Sequence, residues 1–224
     1  MTTPMKPWKM LCALLIAYLL MPSGLLKAAS ADENQGNACE GISNKAALAI
    51  IEGAKVAAAA TPSPLRTPAG VGTQMRIAIV GRSGNLCAED TTSPDAWLGS
   101  ISIARGKAFT AVAFSSNQNS LSSRDIGLLA RQDGPGSKDP NDVGTDAGVA
   151  PLFGIGDSNR ERLGIITFAG GVPIYSGSTL VGAIGVSGDG VDEDEQVAIC
   201  GVTNASSTTG LTTPFPPPLA SACE

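Results

Sequence analysis

The clearest hydrophobic pattern lies in the last third of the chain, in two apolar runs separated by a short polar segment. The runs are Val172–Tyr175 and Leu180–Val186, and the segment between them is Ser176-Gly177-Ser178. Gly and Ser in a short connection between apolar runs are typical of a hairpin turn, so the pattern predicts two antiparallel strands. Because the second run is almost entirely apolar, we expect its strand to be buried on both faces.

Glycines and carboxylates around the second run add two expectations. Gly182 and Gly185 would weaken an ordinary strand, so they indicate that another backbone or a helix packs closely against this one. The carboxylates that follow favour the positive end of a helix dipole, which predicts a capped, solvated helix start. The alternative is a divalent cation bound by clustered carboxylates, for which the candidates are Asp189, Asp192, Asp194 and Glu195.

Two predicted helices and a hairpin precede this region. Ile42–Ala60 carries apolar residues at helical spacing. Met75–Val80 alternates and, with Leu86–Glu89, flanks a turn-forming segment, which predicts a β-hairpin. A second helix is expected over Ser100–Ser115. Its buried stripe is predicted to consist of Ile101, Ala104, Ala108, Ala111 and Val112.

Two basic residues of the second helix, Arg105 and Lys107, are expected to lie off the buried stripe. We expect Lys107 to extend its ammonium group to solvent along its aliphatic stem. The alternative is that this ammonium group lines a pocket for an anion.

The segment from Asn117 to Ile165 has the least regular pattern. A short helix is predicted at Asp125–Arg131, followed by a stretch rich in Gly, Pro and Asp and by an apolar patch at Pro151–Ile155. A loop of this length indicates a functional or partner-contacting role. Four of its polar residues loosely resemble a calcium loop, although Val143 stands where an oxygen ligand is needed: Asp139, Asn141, Asp142 and Asp146.

The elements predicted after this segment complete the fold. They are a strand over Ile165–Phe168, the hairpin described above, and a last helix over Asp192–Cys200. Residues 203–224 are rich in Ser, Thr and Pro and predict an extended tail. The order of elements predicts an α/β (α+β) fold, a single domain with a roughly five-stranded, mostly antiparallel sheet packed with helices.

Residues 1–31 have the pattern of a signal peptide and are not expected to belong to the fold. Lys6 and Lys9 precede an apolar run from Met10 to Met21, and Ala29-Ser30-Ala31 forms a small-residue cleavage site. The run is short for a membrane span, so export with cleavage before Asp32 is favoured over an uncleaved anchor. The mature protein is then expected in the periplasm or outside the cell, without stable insertion into a membrane.

The net charge narrows the choice of partners. The chain has 15 basic and 20 acidic residues, and cleavage of the signal peptide would remove three lysines, which leaves 12 against 20 and a net charge of −8. A protein this acidic is poorly suited to bind nucleic acid or an anionic membrane surface.

Four cysteines would remain in the exported chain: Cys39, Cys87, Cys200 and Cys223. An even number in an oxidising compartment favours disulfides, and three pairings are compatible with the sequence. Cys39 and Cys200 would meet if the first and last helices pack side by side, and Cys223 would be able to anchor the end of the tail. Free buried thiols are the alternative. A metal site is less favoured, because the chain has no CxxC motif.

The chain contains no histidine. This excludes the histidine-dependent nucleophile systems and the common zinc sites, and it removes the usual axial ligand of haem. Outside the signal peptide, a haem ligand would have to be Tyr175, Met75, a cysteine, a lysine or a weak oxygen donor.

Three blocks of sequence resemble the GlcG/HbpS-like family, whose members are often described as haem-degrading or haem-binding domains. The blocks are RIAIVGRSGN at 76–85, SIARGKAFTA at 102–111, and GGVPIY at 170–175 followed by VGAIGVSG at 181–188. The resemblance lies within a domain placed at residues 32–202, and it implies an α/β sandwich with an antiparallel sheet, assembled into dimers or octamers. The long segment at 117–164 and the missing histidine depart from the family's usual pattern.

The resemblance also implies a ligand and a site. Members are associated with haem binding, sensing and uptake, so haem is the expected cofactor and a tetrapyrrole or similar small molecule is the expected partner. The pocket would lie between the second helix and the segment from Phe168 to Tyr175. Lys107 would pair there with a propionate, Phe168 and Pro173 would cover the ring, and the phenolate of Tyr175 would be the candidate metal ligand.

Three functions remain open at this point. The favoured one is an exported, homo-oligomeric protein that binds, senses or takes up haem or another tetrapyrrole without catalysis, because no acid–base pair at a defined spacing is visible. The second is an enzyme that degrades haem or acts on a small acid with Lys107 and a carboxylate. The third is a structural or interaction module with a vestigial pocket.

Overall fold

Five antiparallel strands form one sheet, and helices cover both of its faces. The computed structural model describes residues 39–132, 164–219 and 223, and its strand order is β2-β1-β4-β3-β5. This architecture confirms the predicted fold class. The elements in chain order are α1 (Asn44–Ala60), β1 (Arg76–Gly81), β2 (Leu86–Thr91), α2 (Ser100–Phe114), α3 (Ser123–Gln132), β3 (Gly171–Ser176), β4 (Thr179–Ser187), α4 (Val191–Thr209) and β5 (Leu211–Thr212).

The two faces of the sheet pack against different helices because successive strand residues point to opposite sides. Ile79 and Ile184 belong to the larger apolar cluster, which includes residues of α1 and α4. Their chain neighbours Val80 and Ala183 belong to a smaller cluster with α2. The central strands therefore lie between two helical layers.

The central strand β4 is buried along its length after Thr179, as its sequence predicts. A Cβ atom on Gly185 would lie 2.0 Å from the carbonyl oxygen of Ala104 in α2, and one on Gly182 would lie 2.2 Å from the carbonyl oxygen of Val80 in β1. Both distances are far inside van der Waals contact. The prediction that these glycines allow a close approach of other backbone is confirmed.

The predicted strand over Ile165–Phe168 is wrong. These residues have no regular secondary structure, because helix side chains bind their backbone groups. The amide of Ile166 donates to Thr110 Oγ1 at 2.7 Å, and the carbonyl of Phe168 accepts a hydrogen bond from Ser123 Oγ at 2.6 Å. The fifth strand is β5, which follows the last helix and pairs with β3.

The last helix is longer than predicted. It continues past Cys200 to Thr209, and Gly210 ends it in the left-handed conformation, with φ of +70°. The hydroxyl groups of Thr208 and Thr209 both donate to the carbonyl of Ala205, a bonding pattern that helices accommodate. The prediction of an extended tail that begins at residue 203 is therefore wrong for residues 203–209, which belong to the helix.

Two disulfides join Cys39 to Cys87 and Cys200 to Cys223. The prediction of disulfides and of an anchored tail end is confirmed, but the pairing of Cys39 with Cys200 is wrong. The first and last helices do pack side by side, since a Cβ atom on Gly201 would lie 2.8 Å from Ala54 Cβ. Cys39, however, precedes α1 and lies beside β2, where Cys87 is its partner.

Three predicted features lie outside the described residues and stay predictions: the signal peptide, the calcium-loop candidates Asp139 to Asp146, and the apolar patch Pro151–Ile155. Within the described residues, no helix combines the length and the apolar character that a membrane crossing requires.

Candidate functional site

Lys107 is buried, so the prediction that it extends to solvent is wrong. Only 1% of the residue is exposed, because α2 packs on β4 and the Gly170 backbone covers the ammonium group. A Cβ atom on Gly170 would lie 3.1 Å from Lys107 Nζ. The ammonium group donates to the carbonyl of Val186 at 2.9 Å and to Asp194 Oδ2 at 2.6 Å. These bonds are what make a buried lysine tolerable.

Asp194 reaches Lys107 because α4 begins directly after the end of β4. It lies in the first turn of α4 and is 2% exposed. Its Oδ1 accepts a hydrogen bond from the backbone amide of Asp189 at 3.1 Å, and its Oδ2 accepts the bond from Lys107. One carboxylate therefore fixes the turn into α4 and neutralises the lysine.

Burial shifts both pKa values of this pair toward the neutral forms. It lowers the pKa of Lys107 below its ordinary value of 10.5, while the charge of Asp194 opposes the shift. It raises the pKa of Asp194 from 3.8 to about 6, while the charge of Lys107 opposes that shift. The pKa values of the two groups therefore lie closer together than those of an exposed lysine and an exposed aspartate.

Other carboxylates at the start of α4 are also paired, so the prediction of a solvated helix start is wrong for most of them. Asp189 forms an ion pair with Arg66 at 3.4 Å, and its side chain is fully buried. Glu195 is 5% exposed and pairs with Arg124, which also pairs with the exposed Asp192. Among the described residues, no group of three or more Cys, Asp or Glu side chains is arranged to bind a metal ion.

The three cations of these pairs come from three different parts of the fold. Arg66 lies in the loop after α1, Lys107 lies in α2 and Arg124 lies in α3. The segment from Asp189 to Glu195 therefore holds together elements that are far apart in the chain.

A pocket of about 210 Å³ opens beside the Lys107–Asp194 pair. We call it the aromatic pocket, because its accessible walls include Phe168 (39% exposed) and Trp97 (49% exposed), together with Val191. Its buried side includes the charged side chains of Lys107, Asp189 and Asp194, which are already paired. Among the described residues, the lining consists of Trp97, Ser100, Ile103, Lys107, Phe168, Ser187, Gly188, Asp189, Val191 and Asp194.

The segment that carries Phe168 is fixed by hydrogen bonds from α3 and β4. Ser123 Oγ donates to the carbonyl of Phe168 at 2.6 Å and accepts the amide of Gly171 at 2.8 Å. The carbonyl of Gly170 accepts the amide of Val186 at 2.9 Å. This wall of the aromatic pocket is therefore held by the sheet and by a helix start.

The opposite aromatic wall, Trp97, is held by a cation–π contact. The guanidinium carbon of Arg66 lies 4.8 Å from the centroid of the Trp97 ring. The same guanidinium group donates to the carbonyls of Gln74 and Gly188, so its position is fixed by the backbone.

The structure brings Lys107 and Phe168 into the aromatic pocket but places Tyr175 and Pro173 elsewhere. The Tyr175 hydroxyl donates to the carbonyl of Ser116 at 2.9 Å and accepts a hydrogen bond from Ser120 at 2.8 Å, and its ring lines a separate pocket. Pro173 is buried in the sheet as the register partner of Ala183.

Sequence reasoning missed several residues of the aromatic pocket: Trp97, Ile103, Val191 and the pairing role of Asp194. One signal for the pairing was present, because helical spacing from Ala104 and Ala111 places Lys107 on the buried face of α2. A buried lysine requires a carboxylate, and the acidic start of the last helix supplies one. No comparable signal identified Trp97, which lies in a loop.

The sequence that forms this α+β fold matches a family model over most of its length. The chain belongs to the HbpS-like family: the model described as "Haem degrading protein HbpS-like" matches residues 42–203. No curated protein matches the sequence at a significant level.

Solved structures similar to this chain include the Klebsiella pneumoniae protein ORFY. Its sequence is 23% identical and its TM-score is 0.49, and the match covers 74% of this chain and 91% of that one. The PduOC:heme complex is 22% identical with a TM-score of 0.48, and the match covers 73% of this chain and 94% of that one. HbpS is 24% identical with a TM-score of 0.47, and the match covers 72% of this chain and 88% of that one.

Proposed function

We propose that the protein is an exported binding protein for haem or another tetrapyrrole, and that the ring of the ligand lies against the aromatic pocket. Membership of the HbpS-like family supports the ligand class. The single observation that carries the location is the aromatic pocket itself, whose accessible walls are the apolar side chains of Trp97, Phe168 and Val191. Such walls suit a flat, largely apolar ligand.

The size of the aromatic pocket favours contact with one edge of the ring. Pockets that enclose a whole ligand commonly measure roughly 300–1,000 Å³, and this one measures about 210 Å³. The remainder of a tetrapyrrole would extend past Trp97 and Phe168 into solvent or against a second molecule.

The described residues do not fit axial ligation of haem iron. The chain has no histidine, and its four cysteines beyond residue 31 are in disulfides. Met75 is fully buried in the core. The Tyr175 hydroxyl has hydrogen-bond partners outside the aromatic pocket, which are Ser116 and Ser120 at the shortest distances, and the ammonium group of Lys107 is held by Asp194.

The charge of the aromatic pocket argues against Lys107 as the partner of a propionate. Its ammonium group is neutralised by Asp194, and the nearby Asp189 is neutralised by Arg66. Arg66, which contacts Trp97, is likewise engaged by Asp189 and by two backbone carbonyls. We therefore assign Lys107 to the structure of the pocket and the apolar walls to ligand binding.

A second candidate function, an enzyme, is favoured by the Lys107–Asp194 pair, because a lysine and an aspartate with converging pKa values can exchange a proton beside a ligand. Turnover would appear as decay of the Soret band of bound haemin in the presence of ascorbate and oxygen. A stable band over hours supports the binding function, and decay that slows in Asp194→Asn supports the enzyme.

Export and assembly complete the proposal. The signal-peptide pattern of residues 1–31 supports secretion, and two disulfides are typical of an oxidising compartment. The exposed apolar side chains Leu128 and Leu129 of α3 support assembly into a homo-oligomer. Light scattering of the purified protein tests assembly, and a monomeric mass contradicts it.

The test of the binding function is a titration of residues 32–224 with haemin. Trp97 would be the single tryptophan of that chain, so quenching of its emission reports binding, and the substitutions below report its location. We expect saturation at one haemin per chain. Val191→Asp places a charge on the pocket wall and is expected to weaken binding at least fivefold.

The matched control for Val191→Asp is Leu98→Asp. Leu98 is 77% exposed and lies next to Trp97 in the chain, but it does not line the aromatic pocket. Equal weakening by both substitutions, or binding that never saturates, contradicts the proposed function.

A further inference from the structure

We infer that the aromatic pocket recognises the porphyrin ring and not the iron, so that iron-free protoporphyrin IX binds about as tightly as haemin. This inference rests on the proposed function, and it specifies the ligand class of the same site. It follows from the positions of those described side chains that could act as ligands for iron.

The charged groups that line the aromatic pocket are already engaged. Lys107 Nζ is bonded to Asp194 and to a backbone carbonyl. Both carboxylate oxygens of Asp189 accept the hydroxyl of Ser63, at 2.9 and 2.7 Å, and Arg66 pairs with the same carboxylate. The lining otherwise offers only serine hydroxyls, which are weak ligands for ferric iron.

The stronger candidate ligands lie away from the aromatic pocket. Tyr175 lines a different pocket with Asn117 and Ser120, and Met75 is enclosed in the core between the sheet and the α1–α4 layer. The cysteine sulfurs are consumed by the two disulfides. None of these groups reaches the aromatic pocket without a change of fold.

Recruiting Lys107 to iron would require separation of a buried ion pair. The lysine and aspartate side chains are 2% and 3% exposed, so Asp194 would be left as a buried charge without its partner. That cost opposes any gain from a bond between nitrogen and iron. The interactions that remain are those with the ring: the aromatic side chains of Trp97 and Phe168 and the aliphatic side chains of Ile103 and Val191.

A paired titration tests the inference. The parent chain of residues 32–224 is titrated with haemin and with protoporphyrin IX under the same conditions, followed by Trp97 emission. We expect two dissociation constants within about threefold of each other. Phe168→Ala is expected to weaken both ligands by the same factor.

The possible failures are distinguishable. Saturable binding of haemin together with binding of protoporphyrin IX more than about tenfold weaker overturns the inference and leaves the proposed function standing. Absence of saturable binding for both ligands overturns the proposed function and the inference with it. The third readout is the Soret band of bound haemin in Tyr175→Phe: an unchanged band supports the inference, and a shifted band overturns it by identifying the phenolate as a ligand.

Discussion

Lys107 and Asp194 form a buried ion pair, with 2.6 Å between Nζ and Oδ2, although 87 positions separate them in the chain. The pair links α2 to the first turn of α4 and forms the inner side of the aromatic pocket. A buried ion pair is a costly way to join two helices, because both charges lose their hydration. Removal of one partner should therefore lower the stability of the fold more than removal of one partner of an exposed ion pair does.

The first prediction concerns stability. Lys107→Met leaves Asp194 buried without a partner and is expected to lower the free energy of unfolding by about 3–5 kcal/mol. The double substitution of Lys107→Met with Asp194→Leu removes both charges and should recover most of that loss. Urea denaturation with the disulfides intact measures both values.

The control for this prediction is Lys55→Met, which breaks the ion pair of Lys55 with Asp90. The side chains of that pair are 32% and 44% exposed, so the loss should be at most about 1 kcal/mol. A Lys107→Met variant no less stable than Lys55→Met would show that the buried pair is not needed for the fold.

The second prediction concerns the titration of Asp194. Burial raises its pKa in the folded protein to about 6 from 3.8. Between these values the folded state holds more protons than the unfolded state, so the stability that this carboxyl contributes is present below pH 3.8 and is lost as the pH rises through 6. Carbon-13 NMR of the side-chain carboxyl should show a midpoint near 6.

Asp90 is the internal control in the same spectrum. Its hydrogen bond from Lys55 lowers its pKa below 3.8, so the two resonances should titrate in separate ranges. A midpoint for Asp194 below about 4 would show that the attraction of Lys107 outweighs desolvation.

The third prediction concerns the disulfides. Peptide mapping without reduction should recover Cys39 linked to Cys87 and Cys200 linked to Cys223. The sequence separations of 48 and 23 residues give similar loop-closure contributions of about 3–4 kcal/mol each. Replacement of either pair by serines should therefore lower the free energy of unfolding comparably. A peptide linking Cys39 to Cys200 would contradict the fold.

The fourth prediction concerns the contact between α2 and β4. Gly185→Ala places a methyl group 2.0 Å from the carbonyl oxygen of Ala104, and backbone atoms at this distance have to move apart. We expect a loss of at least about 3 kcal/mol or failure to fold. Gly99→Ala is the control, because a Cβ atom there has no neighbour within 4 Å, and it should cost less than about 1 kcal/mol.

Much of the fold could be predicted because the signals were local. The turn residues around Gly177 and the apolar run of β4 identified a hairpin from adjacent positions alone. Gly185 indicated close packing for the same reason, since a glycine weakens a buried strand unless a neighbouring backbone fills the space of the missing side chain. The wrong strand at residues 165–168 shows the limit: its apolar residues pack, but their backbone is bound by Thr110 and Ser123, which lie 56 and 45 positions from their partners.

The site was less predictable because its contacts are distant in sequence. Lys107 follows Ala104 by one helical turn, so periodicity alone places it on the buried face, and only its charge suggested the surface. Choosing between a buried and an exposed Lys107 required the knowledge that Asp194 lies within hydrogen-bonding distance of its ammonium group. The disulfide partner of Cys39 was likewise set by the position of β2 beside the start of α1, which composition does not reveal.

The central claim is that the ligand binds against the aromatic pocket, and one pair of variants tests it most directly. Phe168 and Phe114 are similarly exposed, at 39% and 43%, but only Phe168 lines the pocket. Haemin titrations of Phe168→Ala and Phe114→Ala compare the loss of one aromatic ring inside and outside the site. We predict that Phe168→Ala raises the dissociation constant roughly three- to tenfold while Phe114→Ala leaves it at the parent value. Equal dissociation constants for the two variants would contradict the assignment of the ligand to this pocket.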